Sequence, residues 1–355
     1  MTTIPIIQIG VGGVGRELVG QLLGARAVLE ARYGFRLEYL ALADSAGALA
    51  SGSPLPEATI HAAMSAKAAG VRLTASPAGR AIQNWAELLP DGPCIVVDVT
   101  AAGGHEVPLA DAVSDGARVV LANKKPLSAM WSSFVELTSG GATRYEATAG
   151  AGLPVIATLQ GLLDSGDRMV KIEAAMSGTL GYLCSELEAG VPLSTAVRAA
   201  HRMGYTEPDP RDDLSGADVA RKALILARTC GLEWELDTIP AEPWFSPKLA
   251  TVGRDEFMAR LEELDAPFAA RVAEARAQGA ALRYVATITP AGASVGLRAV
   301  SADHPLASLR GPDNLFSFTT ARYAERPLVV RGPGAGQAVT AAGVLADIVA
   351  TAREM

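Results

Sequence analysis

The stretch IPIIQIGVGGVGRELVGQLL, residues 4–23, constrains the fold more than any other part of the chain. It reads as an apolar strand, a glycine turn and the start of a helix. Gly10, Gly12 and Gly15 form a GxGxxG. In a chain with 36 glycines that pattern alone carries little. Its place between strand and helix selects a phosphate-binding turn over a plain one. The glycines let the backbone approach a pyrophosphate, and the helix N-terminus offers free N–H groups to it. Gly13 and Val14, inside the motif, belong to the same candidate cofactor site.

A second apolar run, FRLEYLALADS, ends near Asp44, which is the acidic candidate for an adenine ribose. It falls later than the roughly 20-residue spacing of the simplest fingerprint. A cap for the following segment is the plainer role for the same carboxylate. No Arg or Lys follows immediately, so no dedicated pocket for a 2′-phosphate is visible, which favours NAD.

The runs CIVVDVT, ending near Thr100, and ARVVLANKKPLS, ending at Asn123 and Lys124, read as further strands separated by Ala-rich helices. Such alternation predicts an α/β, doubly wound, Rossmann-type nucleotide-binding domain. After about residue 145 the pattern changes. YEATAGAGLPVIATLQGLL reads as a glycine turn and a helix, with Pro154 suited to its first position. RMVKIEAAMSGTLGYL reads as a strand running into a small-residue turn, and ALRYVATITP and SVGLRAV as two strands around a turn. These predict a second, α+β domain. The expected division is 1–148, completed by a C-terminal helix over 337–355, and 149–331.

Composition narrows the function. With 49% hydrophobic and 19% charged residues, large cores can be buried. The net charge of -7 and the lack of a Lys/Arg run argue against nucleic acid. Mean hydropathy is +0.23, yet no uninterrupted apolar run reaches ~18 residues, so no membrane span is expected. The N-terminus has no basic segment ahead of its apolar run and is not read as a secretion signal. Cys94, Cys184 and Cys230 show no CxxC spacing and read as reduced thiols, so a cytoplasmic location is expected. His61, His105, His201 and His304 show no ligand spacing and read as surface or capping residues.

The charges are concentrated in EPDPRDDLSGADVARK, Glu207–Lys222, which holds four Asp, one Glu, two Arg and one Lys. A helix from about Ser215 to Thr229, stopped by Gly231, puts Asp218 and Lys222 on one face. On a helical wheel Asp218, Arg221, Lys222 and Ile225 share the polar side, and Val219, Ala220, Ala223, Leu224, Leu226 and Ala227 oppose it. Spacing alone fits a solvated i,i+4 ion pair. The preceding EPDPRDD has no apolar residue and is stiffened by two prolines. Glu207, Asp209, Asp212 and Asp213 beside a lysine look more like a pocket for an ammonium group.

Together these stretches resemble homoserine dehydrogenase over nearly the whole chain. The resemblance rests on GVGGVG, NKKP at 123–126, EATAGAGLP at 146–154, SGTL at 177–180, GYTEPDPRDDLSGADVARK at 204–222 and GPGAG at 332–336, in that order. It implies interconversion of L-aspartate 4-semialdehyde and L-homoserine with NAD or NADP. In that family the lysine matching Lys222 is the acid/base, and the one matching Lys124 contacts substrate and cofactor. Glu207 and Asp218 would bind substrate, and Asp213 would help to shape the pocket. Thr100 and Gly336 would join the cofactor site. Backbone carbonyls of Glu146, Ala149, Ala151 and Leu153 would hold a monovalent cation, often sodium. A homodimer through the second domain is implied, and a short form without an ACT domain is expected. The chain departs from the family at Gly181 and in the loop VTAAGGHE after Asp98, which bears on the contact expected at Thr100.

The residues suit that chemistry. An ammonium such as Lys222 can stabilise an alkoxide and donate a proton to it. Lys124 closes a sheet strand, where ligands gather in such folds. Two other readings compete. A semialdehyde dehydrogenase would need a cysteine beside a base, which neither Cys94 nor Cys230 offers. A protein that only senses NAD(H) would need the glycine turn but not both lysines and the acidic cluster.

Overall fold

The computed structural model describes residues 2–355. The chain forms two compact units, one running to Gly152 and including Gly336–Met355, the other Leu153–Ala335.

The first unit is built on a seven-stranded sheet in the order β4-β3-β2-β1-β5-β6-β7. Its strands are β1 (Thr2–Ile9), β2 (Phe35–Asp44), β3 (Gly47–Ala50), β4 (Gly79–Arg80), β5 (Ile95–Asp98), β6 (Arg118–Leu121) and β7 (Thr143–Arg144). β2, β1, β5, β6 and β7 run parallel, as the alternation predicts. The edge differs. β3 and β4 pair antiparallel beyond β2, because the chain turns back at Asp44, whose Oδ1 accepts the N–H groups of Ala46 and Gly47. A parallel sheet is covered on both faces, so its central strands are apolar throughout. Ile6, Ile7, Ile95, Val96 and Val97 are fully buried accordingly. The helices Gly13–Tyr33 and Gln337–Ala352 pack together, with Leu18, Leu22, Val344 and Ile348 in one core.

β5 and β6 end at Asp98 and Leu121, two residues before the predicted Thr100 and Asn123. Those residues therefore sit in loops just past the carboxyl ends of parallel strands.

The second unit is built on a five-stranded antiparallel sheet in the order β10-β9-β8-β11-β12. Its strands are β8 (Met169–Ala175), β9 (Ala280–Thr289), β10 (Gly292–Ser301), β11 (Asp313–Thr320) and β12 (Leu328–Pro333). SGTL is more than the expected turn. Ser177 caps a helix over Gly178–Glu188, its Oγ accepting the N–H of Leu180 at 3.2 Å. Arg283 on β9 is buried and spends its donors on Glu188 and on the carbonyls of Leu282, Leu306, Ala307 and Leu309.

The helix Ala217–Thr229 starts two residues after Ser215, with Gly216 at its N-cap. Gly216 has φ +72°, and a Cβ there would lie 1.9 Å from the Tyr284 hydroxyl, so only glycine fits. The predicted polar face is too wide. Ile225, placed on the polar side, is buried; so is Arg228, which turns inward to the Trp234 carbonyl and the Glu235 carboxylate.

Candidate active site

In the first unit the glycine turn opens the helix Gly13–Tyr33 with Gly12 at the N-cap and no side-chain cap. Its first N–H groups are thus left to a ligand. Space beside Gly12 is open, whereas a Cβ on Gly15 would lie 2.2 Å from the Gly10 carbonyl oxygen. Helix and turn fit a dinucleotide pyrophosphate. Beneath them lies Gln8, which sequence analysis overlooked. Its Nε2 donates to the carbonyls of Gly10 and Gly15 at 2.9 and 3.0 Å. The signal was present: Gln8 is the only polar residue of IPIIQIG.

Asp44 stands at the carboxyl end of β2. Besides the two turn N–H groups it accepts from Lys67 Nζ. A cation absent from the neighbouring sequence is therefore brought to it by the helix Glu57–Ala68.

Asp98, wholly buried at the end of β5, gathers the next loops. It accepts from Thr100 N (2.9 Å), His105 Nδ1 (2.8 Å) and Asn123 Nδ2 (2.9 Å). Asn123 also reaches Thr100 Oγ1 and the Ala102 carbonyl, and its Oδ1 accepts the N–H of Lys125. Thr100 and the loop of Lys124 are thereby held as one group. His105 stands at the N-cap position of the helix Glu106–Ser114, though its side chain turns instead to Asp98, a hydrogen bond that raises its pKa above the usual histidine value. His61 is exposed and His304 caps the N–H of Leu306, as expected.

Glu146 is buried, and its N–H donates to Asp347 Oδ2 at 2.8 Å. Ala147–Gly150 makes one helical turn, and Ala151 follows at φ +56°. That conformation is uncommon for a residue with a Cβ. The boundary between the units falls after Gly152, so Glu146, Ala149 and Ala151 belong to the first and Leu153 to the second. Gly336 belongs to the first unit and starts the last helix.

In the second unit the acidic cluster separates into different tasks. Asp209 is taken by Arg211, at 2.6 Å, and this bond lowers its pKa. Asp213 accepts the Thr179 hydroxyl (3.0 Å) and the Glu207 N–H (2.8 Å). Burial raises the Asp213 pKa. The Glu207 residue is itself exposed. Lys222 is no solvated surface residue. Its side chain is 12% exposed, against 45% for Asp218, whose Oδ2 lies 3.0 Å from Nζ. Lys222 Nζ also donates to the Met176 carbonyl at 2.7 Å. Met176 and Thr179, which flank the Ser177 cap, were not singled out as site residues. Hydrogen bonds of this kind leave no trace in residue spacing.

The first unit thus carries a strand–glycine–helix turn suited to a dinucleotide, and the second a largely buried ammonium beside a carboxylate. Residues 10–146 match the family model "Homoserine dehydrogenase, NAD binding domain", and residues 154–349 match "Homoserine dehydrogenase". The chain belongs to the homoserine dehydrogenase family. It is 39% identical over 359 residues to the bifunctional aspartokinase/homoserine dehydrogenase 2 of Zea mays, covering 98% of this chain and 38% of that protein. It is 41% identical over 271 residues to homoserine dehydrogenase of Schizosaccharomyces pombe, covering 72% of each. A crystal structure of a Candida auris protein of unknown function superposes with a TM-score of 0.87 at 31% identity, covering 99% of both chains. A hyperthermophilic archaeal homoserine dehydrogenase in complex with NADPH shares the fold, with a TM-score of 0.76 at 22% identity, covering 100% of this chain and 99% of that one. The chain spans 38% of the length of the bifunctional plant relatives.

Proposed function

We propose that the protein interconverts L-aspartate 4-semialdehyde and L-homoserine with NAD or NADP, in amino-acid biosynthesis. The largely buried ammonium of Lys222, fixed between Met176 and Asp218, is the observation that carries the reading. The Gly10–Gly15 turn would hold a nicotinamide dinucleotide, which when bound would supply the hydride for the aldehyde carbon. Lys222 gives a proton to the oxygen as it becomes an alkoxide, and takes it back in the reverse direction. Asp218 orients Lys222 and binds substrate. Glu207 takes the substrate ammonium, and Asp213, held by Thr179, fixes the backbone of Glu207. Lys124 contacts substrate and cofactor. Gly10, Gly12, Gly13, Val14, Gly15, Thr100 and Gly336 contact the dinucleotide, with Asp44 on its ribose side. Carbonyls of Glu146, Ala149, Ala151 and Leu153 hold a monovalent cation.

The protein works as a homodimer through the second unit, in the cytoplasm. Among the described residues no helix is long and apolar enough to cross a membrane. The decisive assay follows NADH or NADPH oxidation with aspartate semialdehyde, and dinucleotide reduction with homoserine. Activity in both directions supports the proposal. A protein that binds NAD(H) but turns over neither compound is a sensor instead.

A further inference from the structure

Gln8 sits inside an apolar strand, wholly buried, where an unpaired amide would be costly. Every polar atom of its side chain is used. An amide nitrogen carries two hydrogens, and two carbonyl oxygens stand within reach, Gly10 at 2.9 Å and Gly15 at 3.0 Å. The amide oxygen accepts the hydroxyl of Tyr39 at 2.9 Å. The opposite amide orientation would set oxygen against two carbonyls, so the donors identify the nitrogen. Tyr39 lies on β2, also wholly buried. It pairs with Ile6, two residues before Gln8 and on the same face of β1, so its hydroxyl reaches along that face to the amide.

The two carbonyls bracket the glycine turn. Gly10 is its first residue, and Gly15 lies in the first turn of the following helix. Bridging them fixes how the strand enters and the helix leaves. It therefore fixes where the N–H groups between them point. A turn held from below in this way needs no ordering when a pyrophosphate arrives, and preorganisation of that kind raises affinity.

We propose that Gln8 is a positioning residue for the dinucleotide, locked by Tyr39, which presets the Gly10–Gly15 turn. It touches no ligand and acts through the backbone it holds. The proposal rests on the reading of this turn as the dinucleotide site.

The test compares wild type, Gln8→Leu, Tyr39→Phe and the double variant. Dissociation constants for NADH and NADPH are measured by titration calorimetry, alongside kcat, the KM of each substrate and thermal unfolding. Gln8→Leu should weaken both dinucleotides by about 10-fold, the worth of a lost buried hydrogen bond. It should leave kcat and the KM for homoserine within about two-fold, because Lys222 and Glu207 belong to the other unit. Tyr39→Phe should weaken binding less. The double variant should bind no worse than Gln8→Leu, because Tyr39 acts only through Gln8. A purely structural role would lower the unfolding temperature and leave the affinities of the folded protein unchanged. Should Gln8→Leu not fold, Tyr39→Phe decides. Wild-type affinity in the variants that fold overturns the proposal. A wild-type protein that binds neither dinucleotide overturns the reading of the site instead.

Discussion

Lys222 donates from Nζ to the backbone carbonyl of Met176 at 2.7 Å. A carbonyl oxygen can only accept, so this contact uses one of the three ammonium hydrogens. Asp218 at 3.0 Å takes a second. On the proposed mechanism the third would meet a substrate oxygen. Two anchors of different kind, one fixed backbone and one carboxylate, aim the group.

Replacing Lys222 by Met keeps the side-chain length and removes the ammonium. Turnover should fall by about 10²–10⁴-fold, the usual worth of general acid–base catalysis. Dinucleotide affinity should stay close to wild type. Asp218→Asn should lower kcat in the same direction, and the double variant should lose less than the product of the single losses. Steady-state kinetics on folded protein decide. Undiminished turnover by Lys222→Met removes the lysine from the chemistry.

Cofactor choice should depend on Asp44 and Lys67. In its proposed place beside the ribose the Asp44 carboxylate would repel a 2′-phosphate, so the wild type should prefer NAD(H) or accept both. Asp44→Ser removes the negative charge and releases the Lys67 ammonium. The ratio of kcat/KM for NADPH over NADH should then rise by about 10-fold, as for one charged hydrogen bond gained. An unchanged ratio at fixed salt would leave Asp44 as the cap of the β2–β3 turn and nothing more.

Monovalent cations should alter activity. Ala151 holds a backbone conformation uncommon for alanine, and carbonyls that converge on an ion would favour it. Assays in sodium, potassium and a bulky organic cation at equal ionic strength should differ. Equal rates in all three would make the turn a backbone support alone.

Asp347 should make stability depend on pH. Burial, with the charge of Glu146 adding to it, raises its pKa from 3.8 to about 7. A carboxyl whose pKa rises on folding takes up a proton as the chain folds. Its contribution is complete below the unfolded value and is lost as pH climbs through the folded one. Between about pH 4 and 7 this site alone should cost roughly 1.4 kcal/mol per pH unit. Asp347→Asn keeps an acceptor for the Glu146 N–H and should flatten that slope. Denaturant unfolding from pH 4 to 8 reads it; parallel curves for both proteins would contradict the assignment.

The sequence carried the parts of the fold that depend on local pattern. The strand–glycine–helix start, the apolar parallel strands, the β9–β10 hairpin and the final helix follow from periodicity and turn residues. The antiparallel edge was hidden, because it hangs on one Asp side chain bonding two N–H groups downstream. The acidic cluster was legible as a concentration of charge in the second unit. Its division of labour was not legible: Asp209 is taken by Arg211, while Asp213 belongs to Thr179, 34 residues away in sequence. Lys222 looked solvated on a helical wheel because the wheel does not include Met176.

The first unit is discontinuous: its core includes Ala341, Val344 and Ile348 from the last helix beside Leu18 and Leu22 from the first. During synthesis, residues 153–335 leave the ribosome before that core can close. The inserted unit is then free to fold first, while the glycine turn, made earliest, waits for the end of the chain. Dinucleotide capture should therefore be the last competence the nascent protein acquires. Chains stalled before Gln337 should carry a protease-resistant second unit and a digestible first one. Early resistance of the first unit would show that its sheet needs no partner from the C-terminus.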